Sequence, residues 1–284
     1  MFLPPKILEE KLRALLAEDI GQGDITSSLI VPADTNARAL VVVKQRGIVA
    51  GIEEAKIFLQ SLGLEVEASA SDGKKVKPSE VLLRISGDAR TLLAAERTLL
   101  NLLSRMSGIA TATRNLVEKL REANVKTRVA CTRKTAPGLL YFDKKAVLIG
   151  GGDTHRLHLD DMILIKNNHI ALAGSLEKAV EKVRKHASFS KKIEVEVTKA
   201  EEVLPAVRAG TDIVMLDNFS PKQIEKAMML LKKEEFYGKV LVEASGGITA
   251  ENIMRFASTG VNIVSLGEIT QNSKALDMSL EVKK

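Results

Sequence analysis

The side chains best equipped for chemistry in this 284-residue sequence share one placement: they follow short apolar runs and do not precede them. Arg133-Lys134 come after Arg128-Val-Ala-Cys131, Lys166-Asn-Asn-His169 after Met162-Ile-Leu-Ile165, and Glu196 lies near the end of Lys192–Val197. Asp217-Asn218, Ser245-Gly246-Gly247 and Gly267 follow Asp212–Leu216, Lys239–Glu243 and Asn262–Leu266 in the same way. Arg133, Lys134, Arg156 and Lys166 supply fixed positive charge, and the glycine loops let backbone N–H groups close on a phosphate. Glu196 and Asp217 are carboxylates set against those cations, which suits a cationic or metal-bound centre on an anionic substrate.

Each residue alone has a plainer explanation. The glycine loops are ordinary turns between strand and helix in most proteins, and Arg133-Lys134 could be solvated surface charges. His155, His158, His169 and His186 could be polar turn or surface residues. His155 and His158 have an H-x-x-H spacing, but no third ligand of matching geometry is evident, so no zinc site is expected. Glu194 is two residues from Glu196 and therefore on the same strand face, where a salt bridge at the barrel edge would account for it. Cys131 has no base nearby and reads as a core thiol.

The six runs recur at spacings of about 20 to 35 residues with helix-length segments between them, the alternation of a parallel sheet with crossover helices. Such strands are buried on both faces and should be nearly all apolar; Glu194 and Glu196 break that rule. In an α/β barrel the C-terminal strand ends share one mouth, so the polar clusters would meet there. An open doubly wound sheet would gather only those near its switch point. Fewer than eight strands makes the expected barrel incomplete.

The first part of the chain lacks this regularity. Ile7, Leu8, Leu12, Leu15 and Leu16 form a helical stripe closed by the turn Gly21-Gln-Gly-Asp24. Residues 37–44 and 48–51 read as strand, 53–62 as a helix, and 64–70 with 81–85 as a hairpin. From Ala89 to Asn124 the apolar period is interrupted at Ser107-Gly108, which predicts two helices or one kinked helix.

Hydrophobic residues make up 45% and charged residues 27% of the chain, ordinary globular usage that excludes a disordered or collagen-like protein. No apolar run approaches the roughly 18 residues of a membrane span. The N-terminal stretch Met-Phe-Leu-Pro-Pro-Lys passes directly into a charged amphipathic pattern, without the apolar core of a signal peptide. One cysteine excludes an intramolecular disulfide and fits a reducing compartment, so a cytoplasmic location is expected. The net charge of +6 is spread along the chain and aromatics are only 3%, which disfavours nucleic-acid binding.

Taken together, the segments Glu18–Thr26 (EDIGQGDIT), Ala95–Asn101 (AERTLLN), Thr132–Gly138 (TRKTAPG), Gly150–Arg156 (GGGDTHR), Ile163–His169 (ILIKNNH), Glu194-Val-Glu196, Met215–Asn218 (MLDN) and Glu243–Gly247 (EASGG) resemble the quinolinate phosphoribosyltransferases, and the similarity covers nearly the whole chain. The resemblance implies an N-terminal α/β sandwich, here residues 1–110, followed by an incomplete α/β (TIM-like) barrel, residues 111–284. It implies transfer of a phosphoribosyl group from phosphoribosyl pyrophosphate to quinolinate, with loss of CO₂ and pyrophosphate, to give nicotinate mononucleotide for NAD synthesis. Arg133, Lys134, His155 and Arg156 match the family's quinolinate-binding residues, Lys134 being also a candidate catalytic residue. Arg97 matches an arginine that reaches the partner subunit's site in a homodimer or an assembly of dimers. Lys166, Glu196 and Asp217 match the ribose and pyrophosphate side, the two carboxylates facing Mg²⁺ that is held largely by substrate phosphates. Ser245, Gly246, Gly247, Leu266 and Gly267 match the phosphate cradle. Gln271 stands where the family usually has a histidine; it can donate a hydrogen bond but carries no protonic charge. A nicotinate-using phosphoribosyltransferase and a non-catalytic phosphate-binding relative are the alternatives.

Overall fold

A computed structural model describes residues 3–283, so the first two residues of the N-terminal stretch discussed above lie outside it. The chain forms two compact units: one gathers the chain up to Arg114, Tyr141–Gly151 and the segment from Asn272 onward, and the other gathers Asn115–Leu140 and Gly152–Gln271. The chain thus passes between units more often than a single boundary near residue 110 would require.

In the first unit the strands are Asn36–Val43 (β1), Gly47–Ile48 (β2), Glu65–Ala68 (β3), Lys75–Val76 (β4) and Val81–Asp88 (β5). Strands β1, β3 and β5 fall where expected, with β3 and β5 antiparallel, whereas β2 is shorter than the expected 48–51 and pairs with β4, a strand inside the expected hairpin connection. A C-terminal strand, Met278–Lys283, joins them, and the four-stranded sheet runs β12-β1-β5-β3, numbering that strand last. The inward residues Val41, Val43, Leu83 and Ile85 are buried, as are Leu8 and Leu12 on the helix Pro5–Ile20 and Phe58 on Ile52–Ser61. Burying side chains of this size contributes about 1.5–3 kcal/mol each, which makes this α/β sandwich a core in its own right.

The interruption at Ser107-Gly108 does not break a helix: Ala89–Glu122 is one continuous helix of 34 residues. These small and polar residues serve packing. Ser107 Oγ accepts from Ala50 N at 3.0 Å and Thr111 Oγ1 accepts from Ile48 N at 2.8 Å, satisfying backbone groups beside β2. A β-carbon on Gly108 would lie 2.2 Å from the carbonyl oxygen of Lys274, so only glycine lets that backbone approach. The helix Leu140–Gly150 also belongs to this unit, because Asp143, fully buried, pairs bidentately with Arg105 at 2.7 and 2.8 Å.

The second unit contains the six expected strands: Arg128–Cys131 (β6), Ile163–Ile165 (β7), Ile193–Val197 (β8), Ile213–Asp217 (β9), Leu241–Ser245 (β10) and Ile263–Leu266 (β11). All its pairings are parallel in the order β6-β11-β10-β9-β8-β7. Among the described residues no ladder joins β6 to β7, so the barrel is incomplete; Asp153 instead forms a parallel bridge on the free edge of β6. Parallel register puts every strand's C-terminal end at the same face.

Candidate active site

At that face a cleft of about 740 Å³ opens, and each of the six strands contributes to its lining. Arg133 and Lys134 enter it from the loop after β6, Lys166 after β7, Glu196 from β8, Asp217 and Asn218 from β9, Ser245, Gly246 and Gly247 from β10, and Gly267 after β11. His155 and Arg156 also line it, carried in by the segment that bridges β6.

The loop after β6 is tied down through both backbone groups of Lys134. Lys134 N donates to Thr132 Oγ1 at 3.2 Å, and Thr270 Oγ1 donates to Lys134 O at 2.7 Å. Gly267 is tight: a β-carbon there would lie 3.0 Å from both Lys134 Cδ and Gln271 Oε1, so Gln271 reaches the cleft beside the lysine. On the opposite wall Lys166 Nζ donates to Glu196 Oε2 at 2.9 Å. His169 takes no part in the lining but accepts from Lys166 N at 3.0 Å, capping the helix Asn167–Ala173. Burial and the nearby Glu196 hold Asp217 above its ordinary value. Its Oδ2 accepts from Asn218 Nδ2 at 2.9 Å.

The glycine loop after β10 requires its glycines unequally. Gly246 has φ 88° and a β-carbon would fall 2.3 Å from Asn218 Oδ1, whereas Gly247, φ 64°, faces open space. Asn218 itself holds φ 57° and donates its backbone N–H to Ser245 O at 2.8 Å. Two loops from adjacent strands are therefore locked together, and Gly247, its carbonyl accepting from Asn252 Nδ2 at 2.9 Å, lies exposed at the cleft.

The floor of the cleft is built differently. His155 adopts φ 54°, uncommon for a residue with a β-carbon, and its N–H donates to Asp153 Oδ1 at 2.8 Å. Its Nε2 lies 3.0 Å from Glu194 Oε2 and 3.2 Å from Glu243 Oε2, and both glutamates have 0% exposed side chains. The contact to Glu194 is an aligned hydrogen bond and that to Glu243 an ion pair. Burial alone would push His155 down, but the two carboxylates outweigh it and hold the imidazole at about 10. Burial drives Glu194 the other way, upward, against the pull of His155. Arg156, buried beside them, is lowered by desolvation and by Arg133.

The sequence expectations meet this geometry in different ways. Arg133, Lys134, His155, Arg156, Lys166, Glu196, Asp217, Ser245, Gly246, Gly247 and Gly267 all line one cleft. Leu266 does not: its side chain is 1% exposed in the core, because residues alternate along β11 while Ser265 faces the cleft. Arg97 is exposed on the long helix of the first unit and is not part of the lining. Cys131 is a buried core thiol. His158 is exposed, and the residues that join His155 are Glu194 and Glu243, which together present donor atoms within 4.8 Å of one another. Glu243 was legible only as a polar residue in an apolar strand, and nothing in the sequence pairs it with His155.

Family models match both parts of the chain: "Quinolinate phosphoribosyl transferase, N-terminal domain" over residues 24–107 and "Quinolinate phosphoribosyl transferase, C-terminal domain" over 109–281. A probable nicotinate-nucleotide pyrophosphorylase [carboxylating] of Methanothermobacter thermautotrophicus is 44% identical over 272 residues, covering 96% of this chain and 98% of that protein. The nicotinate-nucleotide pyrophosphorylase [carboxylating] of Rattus norvegicus is 38% identical, covering 99% and 92%. The solved structure of the nicotinate-nucleotide pyrophosphorylase from Francisella tularensis superposes with a TM-score of 0.90 at 40% identity, covering 99% of this chain and 98% of that one.

Proposed function

This chain belongs to the quinolinate phosphoribosyltransferase family, and we propose from that membership how its cleft divides the work of the reaction. The enzyme converts quinolinate and phosphoribosyl pyrophosphate to nicotinate mononucleotide, pyrophosphate and CO₂, a step of NAD synthesis. One observation above all supports the division: Arg133, Lys134, Arg156 and Lys166 share a cleft with Glu196, Asp217 and the exposed Gly247.

Quinolinate is a dianion, and planar guanidinium groups meet carboxylates by two parallel hydrogen bonds, so Arg133 and Arg156 would hold its carboxylates. His155, on the same side, would add a third donor. The phosphate of the ribosyl donor would rest on the backbone at Ser245–Gly247 and Gly267, with Gln271 as a neutral hydrogen-bond donor beside it. As the bond from ribose C1 to pyrophosphate breaks, positive charge grows on the sugar; Glu196 and Asp217 would stabilise it or hold the ribose hydroxyls. Lys134 and Lys166 would offset charge on the leaving pyrophosphate. Once the ring nitrogen is quaternised it accepts the electron pair left by CO₂, so the protein's task in decarboxylation is to hold geometry.

Glu196 and Asp217 are also the oxygen donors a hard divalent cation prefers. Lys166 already occupies one Glu196 oxygen, so these carboxylates would share Mg²⁺ with the substrate phosphates and not enclose it. Held between these carboxylates and the substrate phosphates, Mg²⁺ would supply positive charge to the departing pyrophosphate. Arg97, exposed on its helix, would complete a second subunit's cleft in a homodimer. No helix among the described residues is long and apolar enough to cross a membrane, and with one buried thiol the enzyme would work in the cytoplasm.

Incubation with phosphoribosyl pyrophosphate, Mg²⁺ and carboxyl-labelled quinolinate should release labelled CO₂ in step with pyrophosphate. Turnover of nicotinate in place of quinolinate would assign the chain to the non-decarboxylating reaction.

A further inference from the structure

The buried trio beneath the cleft has a feature that substrate binding alone does not require. Two carboxylates on the strands either side of β9, Glu194 on β8 and Glu243 on β10, both point an oxygen at one nitrogen, His155 Nε2, at 3.0 and 3.2 Å. Neither has any exposed side-chain surface, and Glu194 Oε1 and Glu243 Oε1 have no hydrogen-bond partner among the described residues. Burying an uncompensated carboxylate costs several kcal/mol, so two of them side by side demand a cation between them. Nε2 flanked by two acceptors must carry its proton. Nδ1 has no partner among the described residues, and His155 lines the cleft. The ring is also kept in a left-handed backbone conformation at φ 54°, tied down by Asp153.

We propose that Glu194 and Glu243 are positioning residues that keep His155 as an imidazolium, so that its Nδ1–H faces the cleft as a charged donor for a carboxylate of the dianionic base. This rests on the quinolinate reading of the cleft and adds to it two residues whose side chains have no exposed surface. Two buried negative charges for one positive one is an odd balance within the trio. The other charged groups facing the trio are Arg156, which acts on Glu194, and Arg133, which acts on Arg156. With that nearby positive charge, the trio keeps the imidazole cationic through neutral and mildly alkaline pH, where a solvent-exposed histidine is neutral. The specificity consequence is direct: a ring with one carboxylate leaves one of three cationic donors, Arg133, Arg156 or His155, without its acceptor.

The experiment reads the imidazole itself and then its effect. Nitrogen NMR of the protein labelled at histidine, with His155 assigned by its loss in His155→Gln, should show a doubly protonated ring at about pH 8. Glu243→Gln and Glu194→Gln should bring its titration down toward or below the ordinary histidine range, where burial alone would place it. In the same variants, quinolinate affinity at about pH 8 should fall by tenfold or more, the loss shrinking toward about pH 6, while the constant for phosphoribosyl pyrophosphate stays unchanged. Glu243→Asp should restore part of the affinity. A neutral His155 ring in the unaltered protein at that pH overturns the proposal whether or not quinolinate is turned over, and this measurement needs no variant to fold. Equal losses for both substrates, or broadening of the His155 signals by equimolar Mn²⁺ without substrate, would overturn it as well, the second by placing a cation where the proton is assigned. Absence of quinolinate binding by the unaltered protein, with His155 still cationic, would instead strike the functional reading.

Discussion

At the scale of single residues the cleft separates side chains that act by charge from those that act by shape. Lys134 is exposed in its loop, where its backbone is hydrogen-bonded to Thr132 and Thr270, so its side chain contributes mainly charge. Lys134→Ala should therefore cost well over tenfold in kcat/KM, the worth of a charge-assisted contact of about 1.5–3 kcal/mol, with the unfolding midpoint unmoved; equal activity would remove Lys134 from the reaction. His155 is the opposite case, since its charge is also structural. Its folded value of about 10 lies above the ordinary 6.5, so the stability it lends is fully present below 6.5 and is lost as pH rises through 10. Thermal unfolding of the wild type and of His155→Asn should show a gap in midpoint that narrows steadily from about pH 7 to about pH 10. A gap that widened over that window would contradict the cationic assignment. The charge of Lys134 was readable in sequence, and the resemblance put His155 at the base site, but the structural part of His155's charge was not readable, because its two partners lie 39 and 88 positions away, taking the separations 194 − 155 and 243 − 155 from the numbering.

At the scale of elements, what the sequence revealed depends on how a segment is buried. The six strands of the second unit were legible because a parallel strand covered on both faces must be an apolar run, as Ile213-Val-Met-Leu216 shows with all four residues buried. Met278–Lys283 was not, because it is an edge strand pairing only with β1, with mixed and partly exposed residues. The helix Leu140–Gly150 sits with the first unit through Asp143–Arg105, a pairing between residues that no local pattern connects. Gly108 misled for a related reason: glycine reads as a helix breaker, but here it answers to the backbone at Lys274. In most helices Gly→Ala stabilises by about 0.5–1 kcal/mol; Gly108→Ala should reverse that sign and lower the unfolding midpoint, since the carbonyl at 2.2 Å cannot rotate away as a side chain could. The glycines after β10 give a paired test at the same scale. Both Gly246→Ala and Gly247→Ala bear the strain of positive φ, of order 1–2 kcal/mol, but only the first collides with Asn218. Phosphoribosyl pyrophosphate binding should suffer far more in Gly246→Ala than in Gly247→Ala, as measured by KM; equal effects would mean that the lock between the β9 and β10 loops does not shape the cradle.

At the scale of the whole molecule, the cleft of one chain gathers its residues from β6 to β11 and the bridging segment, all within the second unit, while Arg97 stands exposed on the first. An arginine on an exposed helix face contributes little to stability, so its expected role depends on a second copy of the chain. In a twofold homodimer each cleft would then draw its Arg97 from the neighbouring subunit. Arg97→Ala and Glu196→Ala homodimers should each be nearly inactive, for different reasons: the first lacks the donated cation in both clefts, the second lacks the carboxylate in both. In a hybrid dimer the cleft of the Arg97→Ala subunit keeps its own Glu196 and receives an intact Arg97, whereas the other cleft is defective twice over. Random reassociation of equal amounts makes about half of the dimers hybrid with one sound cleft of two, so activity should recover to about a quarter of the wild type. If Arg97 served its own chain's cleft, every subunit in the mixture would still carry one lesion at its own site and mixing would restore nothing. Subunit exchange must be confirmed by mass in the same sample, which makes an inactive mixture containing hybrids decisive against a shared site.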